Sequence, residues 1–287
     1  ASDLLFPYFV GKEVLGGVAK ARRFLLDFGS LDQLQANAYP KALKIVEKNI
    51  LPARQAAATK GTEEGEDARG HHEQFLDKWW QLSYRRADML TALGSLKRYI
   101  VCSRVTSRPI FLFISTKVRP GDAFQVFAFE DDYSFGILQS GLHVEWFMNK
   151  RSNMKSDPRY SSDNVFGTFP WPQNPDAAKV LKVAKAAVAL QKVRTEALKT
   201  VKGGLRVIYD TLSKVGKNPL RDAHAELDKA VYEAYGFSTK TDLLKQLRDL
   251  NLVVADRIEA NKSVTAPGVP KGYPKPAELI SKACIGD

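Results

Sequence analysis

Hydrophobic and polar positions change their period along this chain, and the change divides it. After Asp176, Val180, Val183, Ala187, Leu190, Ala197 and Val201 recur at helical spacing, while Lys182, Lys185, Lys192 and Lys199 occupy the other face. That pattern predicts an amphipathic helix burying one stripe in a bundle. Arg194 alone interrupts the stripe, so it must pair or snorkel. Gly203-Gly204 ends the helix, and 205–212, 219–235 and 238–260 predict three more. Ser238 and Thr241 offer alternative caps for the last.

Upstream the period shortens. Residues 98–102, 109–114 and 123–129 are β-branched and aromatic runs between turn signals, which predicts strands. Phe135 to Lys150 returns to helical spacing with Ile137, Leu138, Leu142 and Trp146 on its buried side. Nearer the start, 22–28 predicts a short buried strand and 31–57 helices, with Pro40 in a first turn. Residues 58–72 predict a polar surface loop. Phe75 to Leu93 predicts a helix whose aromatic body is Trp79, Trp80 and Tyr84. The fold expected is α+β. A mixed, mainly antiparallel sheet with flanking helices covers 1–172, a helical bundle covers 176–262, and a Pro/Gly-rich tail at 263–287 lies loosely on the surface.

Composition narrows this picture. A hydrophobic content of 44% over 287 residues supports real cores. No apolar run approaches the roughly 18–20 residues that span a bilayer. Two cysteines, Cys102 and Cys284, make neither a disulfide framework nor a metal set. A reduced, cytoplasmic setting is therefore expected. The net charge of +11 and pI near 9.5 favour a polyanionic partner. The chain starts at Ala1 rather than Met, so it is expected to be cut from something longer.

Between sheet and bundle lies Tyr160-Ser-Ser-Asp-Asn-Val-Phe-Gly-Thr-Phe-Pro-Trp-Pro172. Phe169, Pro170, Trp171 and Pro172 form a stiff extended connector with large apolar faces. These residues, with Phe135-Gly-Ile-Leu-Gln-Ser140, His143, Trp146 and Arg159-Tyr-Ser, resemble the target-recognition region of DNA adenine-N6 methyltransferases. The likeness is to the single-chain type IIG/IIL (MmeI-like) restriction–modification enzymes and their phage-defence relatives. It runs from about Phe6 to about Leu250. It implies a module that reads double-stranded DNA beside an N-terminal methyltransferase domain that binds S-adenosylmethionine.

The chemistry of that domain is missing from the residues at hand. There is no Asn/Asp-Pro-Pro-Tyr/Phe motif, no cofactor loop, no Asp with Glu-x-Lys, no Walker loop and no nucleophile elbow. Glu130, Asp131 and Asp132 cluster at a strand end, where a capping turn is expected rather than a Mg²⁺ site. His71-His72 has no further ligand at metal spacing. His224 and Asp228, one helical turn apart, suit a structural hydrogen bond. No catalytic, cofactor-binding or metal residue is assigned, and whether the parent also cleaves DNA stays open.

What remains is binding. Guanidinium forks pair with guanine edges, and Lys and Ser suit phosphates. The resemblance places base reading just after the Arg98–Ile100 strand, so Arg104, Thr106, Ser107 and Arg108 are the candidates for sequence readout. Arg98, Lys117, Arg119, Lys150, Arg151 and Lys155 are the candidates for the DNA backbone. A different class of reading makes the chain a protein–protein or oligomerisation module docking through its basic bundle helix. Salt-sensitive duplex binding separates the two.

Overall fold

The computed structural model describes residues 2–17, 20–63, 70–154 and 157–286. In chain order its first elements are β1 (Leu5–Phe9), α1 (Gly11–Leu15), β2 (Arg23–Leu26), α2 (Gln33–Ala36), α3 (Pro40–Asn49), α4 (Leu51–Glu63), α5 (His71–Asp77) and α6 (Ala87–Leu93). A β-rich block follows, with β3 (Arg98–Ser103), β4 (Leu112–Ser115), β5 (Arg119–Pro120) and β6 (Phe124–Phe127). Then come α7 (Asp132–Gln139), α8 (Gly141–Lys150) and the strands β7 (Ser152–Met154) and β8 (Asp157–Arg159). The long helices α9 (Ala177–Thr200), α10 (Gly204–Asp210), α11 (Pro219–Tyr235) and α12 (Leu243–Glu259) complete the order. The α+β expectation is met.

The chain forms two compact units. One comprises Ala1–Tyr8, Ala21–Ala92 and Lys117–Arg119, and the other Phe9–Lys20, Leu93–Thr116 and Pro120–Asp287. This division differs from the expected border at the connector. The reason lies in α7, every residue of which is buried. At Gly136 a Cβ would stand 2.7 Å from Val183 of α9 and 3.3 Å from Leu227 of α11. The sheet-side helix and the bundle therefore share one core, which includes Ile100, Phe113, Phe135, Val183, Leu190 and Leu227.

In the first unit β1 and β2 pair antiparallel, from Leu5↔Leu26 to Tyr8↔Arg23. β2 is half exposed, with Phe24 at 62%, rather than buried as predicted. Leu4, Phe28, Ala36, Ala42 and Trp80 form the core. The predicted loop at 58–72 is largely helical, because α4 runs on to Glu63 and His71 and His72 open α5; residues 64–69 lie outside the described set. The predicted helix 75–93 is broken instead. Arg54 donates to the carbonyls of Phe75, Lys78 and Gln81, which satisfies the acceptors that a helix end leaves open. The double tryptophan packs: Trp80 is buried with its indole N–H on the Leu31 carbonyl at 2.8 Å.

In the second unit β3 is the centre strand, antiparallel to β4 (Arg98↔Ser115 to Val101↔Leu112) and to β6 (Ile100↔Phe127 to Ser103↔Phe124). Asp131 caps α7 through the Ser134 N–H at 2.6 Å, as the capping reading expects. The predicted helix 135–150 is two helices hinged at Ser140, which caps α8 through the His143 N–H. The last long helix starts later than expected. Asp242, not Ser238 or Thr241, accepts the capping N–H, from Lys245 at 3.0 Å.

The tail departs most from expectation. Thr265 exchanges hydrogen bonds with Gln173, Leu279 is buried in the core, and Ile285 bridges Ile114 on β4. Proline and glycine in this stretch set its bends, and its apolar and polar groups are still used. The tail is a built-in strap.

Candidate nucleic-acid interface

The strip Arg104–Arg108 continues β3 past its sheet. The Arg104 N–H donates to the Ala123 carbonyl at 2.8 Å, and the Tyr160 N–H donates to the Arg104 carbonyl at 2.7 Å. Val105 then bridges Arg159, and the Thr106 N–H reaches the Pro158 carbonyl at 3.0 Å. Residues 158 and 159 belong to the β7–β8 hairpin, whose register runs from Ser152↔Arg159 to Met154↔Asp157. Two segments far apart in sequence, the expected reading strip and the polar basic segment after α8, are thus one continuous piece of backbone pairing.

Each expected readout residue has a definite place. The Thr106 hydroxyl donates to the Arg108 carbonyl at 2.6 Å and accepts its N–H at 3.2 Å, so Thr106 builds a turn. Ser107 is exposed at the apex. Arg104 gives one N–H to the Asp122 carbonyl at 3.2 Å and keeps other guanidinium donors. Arg108 lies 5.6 Å from the Tyr209 ring, and its buried Nε has no hydrogen-bond partner.

Thr106, Ser107 and Arg108 line a pocket of about 370 Å³ with Leu15, Ser103, Val105, Ile110, Pro158, Arg206, Tyr209 and Asp210. Its far wall is α10. Gly204 starts that helix at φ +78°, where a Cβ would fall 2.3 Å from the Leu15 carbonyl oxygen. Only glycine allows this approach of α10 to α1. Tyr209 is held by the Arg194 guanidinium, and its hydroxyl is hydrogen-bonded to His224 Nε2 at 3.0 Å. Arg194 also donates to the Phe111 carbonyl at 2.9 Å, so the cation that interrupts the apolar stripe pairs inside the core.

Burial shapes the titration of the groups behind the strip. His143 Nδ1 donates to the Leu138 carbonyl at 2.7 Å, and Nε2 faces the Tyr160 hydroxyl at 3.0 Å. Burial pulls its pKa down to about 4, and that of His224 to about 3. Asp228 accepts the Gly141 N–H at 2.7 Å, yet burial lifts its pKa to about 6. His224 and Asp228 therefore have separate partners instead of the mutual bond expected from their spacing.

The expected backbone contacts divide sharply. Arg98 is 3% exposed. It pairs with Asp132 at 3.0 Å and donates to the carbonyls of Glu130 and Ala283, so it is a core residue and not a phosphate contact. Lys150 is exposed, its Nζ 5.1 Å from the Trp146 ring, and Arg151 leads into the hairpin. In the first unit Lys117 is exposed, and the Arg119 guanidinium lies 4.1 Å from the Phe6 ring. Lys155 lies outside the described residues.

The connector is packed. Phe169 and Trp171 are buried, the Pro170 carbonyl accepts from the Tyr235 hydroxyl at 2.8 Å, and Thr168 accepts from Trp146 at 3.2 Å. The carboxylates at 130–132 have structural partners. Glu130 accepts the Lys97 N–H, Asp131 caps α7, and Asp132 binds Arg98, Gln191 and Ser281. Among the described residues no group of side chains is suited to hold a metal, and no helix is long and apolar enough to cross a membrane.

Sequence reading missed Arg206 and Asp210. The signal was present, since Arg206 and Tyr209 stand three apart and share a helix face. It lay in a short segment after Gly203-Gly204 that carried no motif.

The comparisons with known proteins fall on this same region. Residues 85–173 match the family model of the MmeI target recognition domain. No curated protein matches the sequence. Among solved structures the fold is similar to that of the type IIL restriction-modification enzyme MmeI, solved in complex with DNA, with a TM-score of 0.69 at 22% identity. The match covers 89% of this chain and 32% of that one, so the chain spans about a third of the solved enzyme. Strip, hairpin and connector all lie inside residues 85–173, the stretch that matches the MmeI target recognition domain.

Proposed function

We propose that this chain is the sequence-reading module of a type IIL restriction–modification enzyme that methylates adenine in double-stranded DNA, in a role such as phage defence. The observation that carries the reading is the pairing of the Arg104–Thr106 backbone with the β7–β8 hairpin inside the stretch that matches a target-recognition domain. A strand extended beyond its sheet and paired with a hairpin makes a β-ribbon, an element the major groove admits. In this reading Arg104 and Ser107 offer donors to base edges, and Thr106 fixes the turn that presents Ser107. Lys150 and Arg151 precede the ribbon and serve as phosphate contacts, and Lys155, Lys117 and Arg119 keep the same assignment from the sequence. The net charge of +11 favours the approach of a polyanion.

Base flipping and methyl transfer then belong to a methyltransferase domain of the parent enzyme, outside these residues. The residues at hand carry neither the cofactor loop nor the Asn/Asp-Pro-Pro-Tyr/Phe motif of such a domain. The cofactor is therefore assigned to the parent's other domain, and the whole enzyme to the cytoplasm.

Selection of bound duplexes from a randomised pool, at low and moderate salt, tests the reading. Enrichment of a short motif containing adenine is the expected result. Absence of binding even at low salt would move the function to a protein-docking module.

A further inference from the structure

We infer that the pocket between the Arg104–Arg108 strip and α10 seats one phosphate of the duplex backbone, with Arg206 and Arg108 as its clamp. The inference rests on the DNA-reading proposal and deepens it. It assigns Arg206 to the interface and moves Arg108 from base reading to backbone grip.

The shape of the pocket comes first. Base edges lie at the floor of a groove roughly 8.5 Å deep, so reading them needs side chains on a projecting element. Phosphates project outward from the duplex, and a concave site fits one. The cavity of about 370 Å³ is concave, and the strip at its rim pairs with the β7–β8 hairpin through residues 158 and 159. Strip and α10 together thus offer a groove-reader and a phosphate seat side by side.

The chemistry of the lining agrees. Arg206 is exposed on the pocket side of α10, one turn before Tyr209 and Asp210. The Arg108 Nε is buried and lacks a hydrogen-bond partner. Arg108 lines the pocket, so the Nη end of the same fork is the part that a phosphate oxygen would meet. Ser103 and Ser107 add hydroxyl donors at the edge, and Leu15 and Ile110 form an apolar wall that strengthens charge interactions nearby. Asp210 is the single carboxylate in the lining, against two guanidiniums, so the seat stays cationic. Backbone support is firm on both sides. The Thr106 turn fixes the Arg108 main chain, and the Gly204 contact fixes the start of α10.

The experiment compares the whole chain with Arg206→Ala and Arg206→Lys. It uses a specific duplex from the selection and a scrambled duplex, across a series of salt concentrations. Arg206 is exposed and Ala suits a helix, so both variants should fold. A phosphate seat predicts that Arg206→Ala lowers affinity for both duplexes alike, on the order of tenfold, with the salt slope smaller by about one. Arg206→Lys should keep the slope. Unchanged affinity and slope in Arg206→Ala would overturn the inference while the wild-type chain still binds. Relaxed preference at one base position would overturn it too, by making Arg206 a base reader. If the wild-type chain binds neither duplex at low salt, the DNA-reading proposal itself fails, and the phosphate seat with it.

Discussion

Arg98 and Asp132 form an ion pair of 3.0 Å with side chains only 4% and 1% exposed. The Arg98 guanidinium also lies 3.6 Å from the Phe113 ring, and the Asp132 carboxylate accepts from Gln191 and from the Ser281 backbone. A buried pair of this kind needs both partners, since removing one leaves an uncompensated charge. Arg98→Met should therefore cost about 3–5 kcal/mol. Urea denaturation measures it. A variant of normal stability with a smaller salt slope on DNA would return Arg98 to the interface.

Acid should weaken the second unit. His143 and His224 have folded pKa values near 4 and 3, below the ordinary histidine value, because burial favours the neutral ring. Above about pH 6.5 they are neutral folded or unfolded and contribute no pH dependence. As pH falls below that, the unfolded chain takes up protons that the folded one refuses, and stability declines until the folded rings titrate. Asp228 works the other way. Its folded pKa near 6 lies above the unfolded value, so between about pH 6 and 4 the folded state binds the extra proton and gains stability. Asp228→Asn keeps an acceptor for the Gly141 N–H and removes this offset. Urea midpoints between pH 7 and 4.5 should fall more steeply in that variant than in the wild type. Equal slopes would mean Asp228 titrates alike in both states.

Gly136 has no room for a methyl group, with Val183 Cγ1 2.7 Å from the position a Cβ would take. Its backbone is ordinary helix, so the constraint is steric. Gly136→Ala should destabilise by about 1–3 kcal/mol through overpacking between α7, α9 and α11, despite the better helix propensity of alanine. A raised melting temperature would show that the helices separate at little cost.

Arg104→Ala should relax the selected motif at one position and cost about 1–3 kcal/mol on the specific duplex, with little change on a scrambled one. Binding to both duplexes measures the difference. Equal losses on both would make Arg104 a backbone contact.

Elements with their own period were legible in the sequence. The stripe Val180-Val183-Ala187-Leu190 specified α9, and the helix expected at 219–235 is α11, capped by the Asn218 side chain. What escaped was decided by partners distant in sequence. The break after Asp77 depends on Arg54, and the burial of Arg98 on Asp132 and Ala283. No local window contains those pairs. The same holds at the interface. The Arg104–Arg108 strip stood out by residue type, but its junction with residues 158 and 159 is a product of sheet pairing. Arg206 joined it only because Gly204 lets α10 approach α1.

The strap at 281–285 sets an order of events during synthesis. Arg98 waits for Ala283, 185 residues later, and Ile114 waits for Ile285. At roughly 5–20 residues per second, Arg98 lacks that hydrogen-bond partner for about 10–40 s after its own addition. Until then its centre strand carries an incompletely partnered cation, and the β4 edge lacks its bridge to Ile285. The nascent second unit can collapse early, but it locks only when residues 281–285 arrive.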